Sequence, residues 1–109
     1  MTIGLYTFEM HLPLAQSLKN KRTVVKRLKD RLRARHNVSV VESEEHAELW
    51  QRAGIVIVSV ASNEEVLVTL FRRIRQEAES LVPGDLSDHT TDFIDMLDGG
   101  AGDWSEELS

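Results

Sequence analysis

No cysteine occurs among the 109 residues, which excludes a disulfide framework and any thiolate metal site. Two prolines and six glycines are too few for a low-complexity chain, and 41% hydrophobic residues indicate a folded domain. No apolar run approaches the ~20 residues of a membrane-spanning helix. Met1-Thr-Ile-Gly-Leu-Tyr6 lacks the basic start and apolar stretch of a secretion signal, so a cytoplasmic protein without membrane contact is expected. Lysine and arginine are absent after Arg75. Residues 1–41 carry nine basic side chains against two acids, and residues 42–109 carry four arginines against sixteen acids. The net charge of −5 therefore hides a basic half, and a local positive field is compatible with an anionic partner.

That positive charge is concentrated in one stretch. Nine of the thirteen Lys and Arg residues lie between Lys19 and Arg35, with Asp30 as the sole acid among them. Ser17 is suited to cap a helix there, because its hydroxyl accepts a bond from an orphaned first-turn N–H. At helical pitch Leu18, Val25, Leu28, Leu32 and His36 share one side with Val24 beside them, which predicts a core-facing stripe. Lys19, Arg22, Lys26, Lys29 and Arg33 form one flank, and Arg27, Arg31 and Arg35 form a ladder on the other. Like charges four apart cost roughly 0.2–0.5 kcal/mol per pair, a cost consistent with a surface meant to meet an anion.

Around this helix the pattern predicts strands at Ile3–Leu12, Val38–Glu42, Gly54–Ala61 and Thr90–Leu97. In the first, Gly4, Tyr6, Phe8, Met10 and Leu12 face one way, and Pro13 ends the ladder. Asn37, tolerant of left-handed backbone, is placed to let the chain leave the basic helix. Ser62-Asn-Glu-Glu65 has capping-box spacing and opens a second helix with an inner face of Leu67, Leu70, Phe71, Ile74, Ala78 and Leu81. Arg73 with Glu77 and Arg75 with Glu79 are placed as solvent-side pairs. Pro83-Gly84-Asp85 reads as a turn. The order strand-helix-strand-strand-helix-strand predicts an α+β, ferredoxin-like βαββαβ domain over residues 1–97, with a four-stranded antiparallel sheet and two helices on one face. Residues 98–109, rich in Gly and acids and carrying Trp104, read as a flexible acidic tail. The third strand is apolar on both faces, with Ile55 and Ile57 on one and Val56, Val58 and Val60 on the other. An antiparallel sheet with a wetted face alternates apolar and polar, so a homodimer through the open face or an edge is expected.

His11-Leu-Pro13, Ser17-Leu-Lys-Asn-Lys-Arg22, the basic helix, Asn37-Val-Ser-Val40 with Glu42, and Leu49-Trp-Gln-Arg-Ala53 together resemble the YlxP-like family of small bacterial proteins. The resemblance runs from residue 3 to about residue 81. The acidic 42–48 connection is more charged than that family's pattern, and the tail is additional. The resemblance implies a ferredoxin-like fold and a bacterial cytoplasmic protein with no established biochemical activity. Genes of such proteins often neighbour those for translation initiation and ribosome-binding factors, which points towards RNA.

Two overlapping binding surfaces follow from the residues. A helix start favours a phosphate through its free N–H groups and dipole; Lys19, Lys21 and Arg22 would add charge there, with Arg52 joining them. Lys21 points towards the apolar side, so it either binds an anion or buries its methylenes while its ammonium reaches water, Glu9 or Glu42. The broader surface is the flank Lys19, Lys21, Arg22, Lys26, Lys29 and Arg33, able to track the phosphates of structured RNA or the ribosome. The third strand lacks the aromatics of a sheet that reads single strands. The alternatives are a protein-interaction module whose basic helix docks an acidic partner, and a regulatory domain binding a small anion. Trp50 is either a stacking platform or partner hot spot, or a residue closing the core with its indole N–H satisfied. His11, His36, His46 and His89 share no metal-ligand spacing, and His46 among Glu42, Glu44, Glu45 and Glu48 reads as loop solvation. Without a glycine-rich phosphate loop or a nucleophile motif, neither catalysis nor a cofactor is expected.

Overall fold

The computed structural model describes residues 1–96. In chain order these form β1 (Thr2–His11), α1 (Leu18–Arg35), β2 (Ser39–Glu42), β3 (Arg52–Ala61), α2 (Glu64–Leu81) and β4 (Asp85–Asp95). The sheet runs β2-β3-β1-β4 with every neighbouring pair antiparallel, which is the ferredoxin-like arrangement. The expected tail, including Trp104, and the expected last strand residue Leu97 lie outside the described residues.

Period-two burial builds the inner face of the sheet. Tyr6, Phe8 and Met10 of β1 lie opposite Ile57, Ile55 and Ala53 of β3, and all six are buried. Over them α1 lays Val25, Leu28 and Leu32, and α2 lays Leu67, Phe71, Ile74 and Ala78. Leu70 and Leu81 pack at the margin. Full burial of the Val, Leu, Ile, Phe and Met side chains among these stabilises the fold by about 1.5–3 kcal/mol each. The helices divide the sheet: α1 packs on β2 and β3, and α2 on β1, β3 and β4.

Helix ends follow local chemistry with small displacements. Ser17 Oγ accepts from Asn20 N at 3.0 Å, as the cap of α1. The cap of α2 is Asn63, whose Oδ1 accepts from Val66 N at 3.1 Å; its amide oxygen takes the role expected of Ser62. The exit from α1 uses no left-handed residue, because His36 caps it in extended backbone and its N–H bonds Leu32 O at 2.9 Å. Gly84 is fixed by space, since a Cβ there would lie 2.0 Å from the His11 carbonyl oxygen.

The last strand departs most from expectation. It begins at Asp85, five residues before Thr90, and its burial pattern shows almost no apolar alternation. Pairing with β1 slips between Thr7 and Glu9: Thr7 lies opposite Thr90, but Glu9 opposite Ser87. Asp88 and His89 thus share one position against Phe8, a β-bulge, and Asp88 carries the left-handed φ of 52°.

The outer face of the sheet is uncovered among the described residues. Ile3 pairs with Val60 and Ile94, Leu5 with Val58, and Val41 with Val56. Val41 is 53% exposed and Ile94 58%.

Candidate nucleic-acid interface

The basic helix separates its cations by angle. Lys21 falls on the same side as Val25, Leu28 and Leu32 and is 1% exposed. Its Nζ donates to His46 O at 3.0 Å, Ala47 O at 3.0 Å and Arg52 O at 3.3 Å. An ammonium has three donors, so all are taken up by carbonyls. Glu42 Oε2, 3.1 Å away, balances the charge without receiving a hydrogen bond. Lys21 is therefore an internal clamp that ties the 46–52 connection to α1, and it offers nothing to a ligand in solvent. Of the partners open to it from sequence, Glu42 is the one it meets.

Glu9 is occupied elsewhere. On the outer side of β1 it accepts from His46 Nε2 at 2.6 Å, and Arg52 Nη2 lies 3.6 Å from its other oxygen. The hydrogen bond from His46 holds its carboxyl below the ordinary value of 4.5. Arg52 contributes its carbonyl to Lys21 while its side chain turns to Glu9. The structure does not bring the Arg52 guanidinium to the start of α1. The 42–48 connection is a defined element, with a 3-10 turn at Glu44–His46 capped by Ser43.

The remaining flank lies outside. Lys19, Arg22 and Lys26 are exposed and Lys29 half-buried. At 100° per residue the flank with Arg33 covers about 80° of arc and about 21 Å of helix length. Lys26 donates to Asp30 at 2.6 Å, holding that carboxyl below its usual value. Arg33 Nη2 donates to Val40 O at 2.6 Å, capping a carbonyl on the short strand at the sheet's edge. Trp50 is 52% exposed, so it does not close the core. Its connection is held against the first turns of α1 by the Lys21 bonds and against the segment before that helix by Gln51 Nε2, which donates to Pro13 O at 3.2 Å.

The opposite ladder leads to a group that sequence spacing does not assemble. Glu77 does not pair with Arg73; it reaches across to α1, meeting Arg35 Nε at 2.9 Å and His36 Nε2 at 2.6 Å. Arg75 and Glu79 do pair, at 2.9 Å. Arg31, Arg35, His36 and Arg73 line a cleft of about 610 Å³ between the helix ends. Only the angle at which α1 crosses α2 creates it, and helical spacing within one helix carries no signal for that. Among the described residues no group of three or more His, Asp or Glu is arranged to hold a metal, and no helix is long and apolar enough to cross a membrane.

A family model described as "Protein of unknown function (DUF503)" matches residues 3–91. No curated protein matches the chain. Among solved structures it is similar to the de novo designed protein Foldit4, with 15% identity, a TM-score of 0.48, and coverage of 87% of this chain and 98% of that one. It is also similar to a de novo designed protein with ferredoxin fold, LFR1, with 14% identity, a TM-score of 0.46, and coverage of 93% and 89%.

Proposed function

The chain belongs to the DUF503 family, and we propose that it binds the phosphate backbone of structured RNA, free or in the ribosome, through the outer flank of α1. The carrying observation is the run Lys19, Arg22, Lys26, Lys29 and Arg33 on one arc, with Asp30 the sole acid on the helix. Exposed Trp50 stands in the connection clamped to the same helix and adds a surface on which a base stacks. The role is one of binding, with no catalytic step, and buried Lys21 supports the surface from within through bonds that include the Arg52 carbonyl. The motifs His11-Leu-Pro13 and Leu49-Trp-Gln-Arg-Ala53 favour a YlxP-like protein of the bacterial cytoplasm within this family.

Fluorescence anisotropy against a structured ribosomal RNA fragment, over a salt series, tests the reading. Affinity should fall with salt at a slope of roughly 0.7–0.9 per phosphate contact and vanish in the Arg22→Glu, Lys26→Glu double variant. Absence of binding at low salt would reject it. A partner that survives nuclease treatment and is lost in the same variant would instead establish an acidic protein as the ligand.

A second copy of the chain is the proposed cover for the outer sheet face, supported by the exposed apolar row of Val41, Val58, Val60 and Ile94. Analytical ultracentrifugation should give a dimer that Val60→Lys dissociates. A monomer well above cellular concentration would remove this part.

A further inference from the structure

Beneath α2, on the side of the sheet remote from the basic flank, the core is not closed. A cleft of about 310 Å³ opens between α2 and β4, with Tyr6 and His89 among its polar lining, Phe71 and Phe93 as apolar walls, and Arg72 and Arg75 beside it. Three features show how it is built. The bulge at Asp88 and His89 adds a residue to β4 and sets the imidazole on the inner face, where it stacks on Tyr6 (centroids 6.0 Å apart, planes at 14°) and Phe8 (5.9 Å, 29°). Bulges re-aim side chains in this way, and Asp88 takes up the left-handed backbone that the extra residue requires. Second, Tyr6 Oη and His89 Nδ1 are 2.7 Å apart, so the two form one hydrogen-bonded polar unit. Third, a Cβ on Gly4 would lie 2.8 Å from the Phe71 ring; the absent side chain is what lets that ring seat against β1 and leave the cleft open.

We propose that this cleft binds a small organic anion with one planar apolar ring, an aromatic monocarboxylate in the simplest case. The ring would lie against Phe71 and Phe93, whose own rings are 6.2 Å apart at 28°. The volume is at the lower end of small-molecule pockets, which limits the body to about one ring. The carboxylate is assigned to the arginines. Arg72 has no acceptor among the described residues, and Arg75 spends its Nε on Glu79 at 2.9 Å, leaving its terminal NH2 groups for a second carboxylate. Tyr6 and His89 supply the polar inner wall. Burial pushes the Tyr6 phenol up to about 12 and the His89 imidazole below its ordinary 6.5. Neither carries charge at neutral pH, so this wall neither repels nor neutralises the anion, and the arginines set the ligand's orientation.

The site stands apart from α1 and is independent of the RNA reading. The test is a titration of the 15N-labelled full chain with benzoate, with benzyl alcohol as the uncharged control. Benzoate should produce saturable amide shifts centred on Phe71, Arg72, His89 and Phe93 with Kd on the order of 1 mM, as a ligand of so few atoms allows. The Arg72→Gln, Arg75→Gln double variant alters exposed side chains only and should weaken binding about tenfold with the rest of the spectrum unchanged. Gly4→Ala should also weaken it by displacing the Phe71 ring. Absence of saturable shifts, shifts centred on α1, equal binding of benzyl alcohol, or undiminished affinity in the arginine variant would each overturn the proposal.

Discussion

The two halves of the helix-covered sheet meet the same difficulty, a polar group under a helix, in opposite ways. Under α1, Lys21 brings a full charge inside, spends every donor on carbonyls of a connection and sets a carboxylate beside it. Under α2, Tyr6 and His89 stay neutral, satisfy each other at 2.7 Å and leave space beside them. A buried charge must be fully surrounded, because removing one partner leaves the rest uncompensated. A neutral pair tolerates an open margin, since water or a ligand completes it. The first half is therefore given over to holding the fold, and the second is free to receive something.

Substitutions test that contrast, and Lys21→Met should have the largest effect. It keeps the aliphatic volume but strands Glu42 and three carbonyls, so denaturant unfolding should show a loss of about 3 kcal/mol or more. A loss under 1 kcal/mol would erase the distinction between the halves. Gly4→Ala comes next, at about 1–3 kcal/mol from overpacking against Phe71, measured as a fall in Tm. Tyr6→Phe removes the one hydrogen bond to His89, and a loss of about 1 kcal/mol is expected; a loss matching Lys21→Met would mean that the fold depends on the polar pair of the second half no less than on the charge of the first.

A weaker effect concerns pH. His89 titrates lower in the folded chain than its ordinary 6.5, so on acidification the unfolded chain takes up the proton first. Its contribution to stability is present above pH 6.5 and is lost as pH falls from there towards the folded value. Unfolding free energies between pH 7 and 5 should decline less steeply in His89→Phe than in the parent. Smallest of all, Arg22→Glu with Lys26→Glu should move stability by about 0.5 kcal/mol, as surface changes do. A large loss there would show the flank to be structural and would undercut its assignment as a binding surface.

Much of this architecture is legible from residue order. The alternation Tyr6, Phe8, Met10 and the stripes Val25, Leu28, Leu32 and Leu67, Phe71, Ile74, Ala78 specify faces by period alone, and the structure follows them. Lys21 is legible as an anomaly, a cation at an apolar angle, although its three carbonyl partners come from a distant connection. What local pattern could not reveal depends on register or on packing between elements. The start of β4 is the edge segment Asp85-Leu-Ser-Asp-His89, whose one apolar residue gives no alternation to announce it. The bulge that turns His89 inward exists only in the pairing with β1. Of the two readings open to Trp50, closure of the core fails, because the connection is held by Lys21 and Gln51 and leaves the indole outside. Glu77 exchanges its helical neighbour Arg73 for Arg35 and His36 on another helix, which no spacing within α2 foretells.

The chain has four lysines, and the enclosure of one gives the molecule an internal clock. An amine-reactive reagent in water meets Lys19, Lys26 and Lys29 on the folded protein, whereas Lys21 becomes reachable only when the 46–52 connection leaves α1. Mass spectrometry of timed labelling should give three early lysine additions and one late one, the late rate reporting how often that connection opens. By the same enclosure, an acetyltransferase acting on the closed protein has three lysines to modify, and an acetyl group on Lys21 would mark a chain modified before it closed or while that connection stood open.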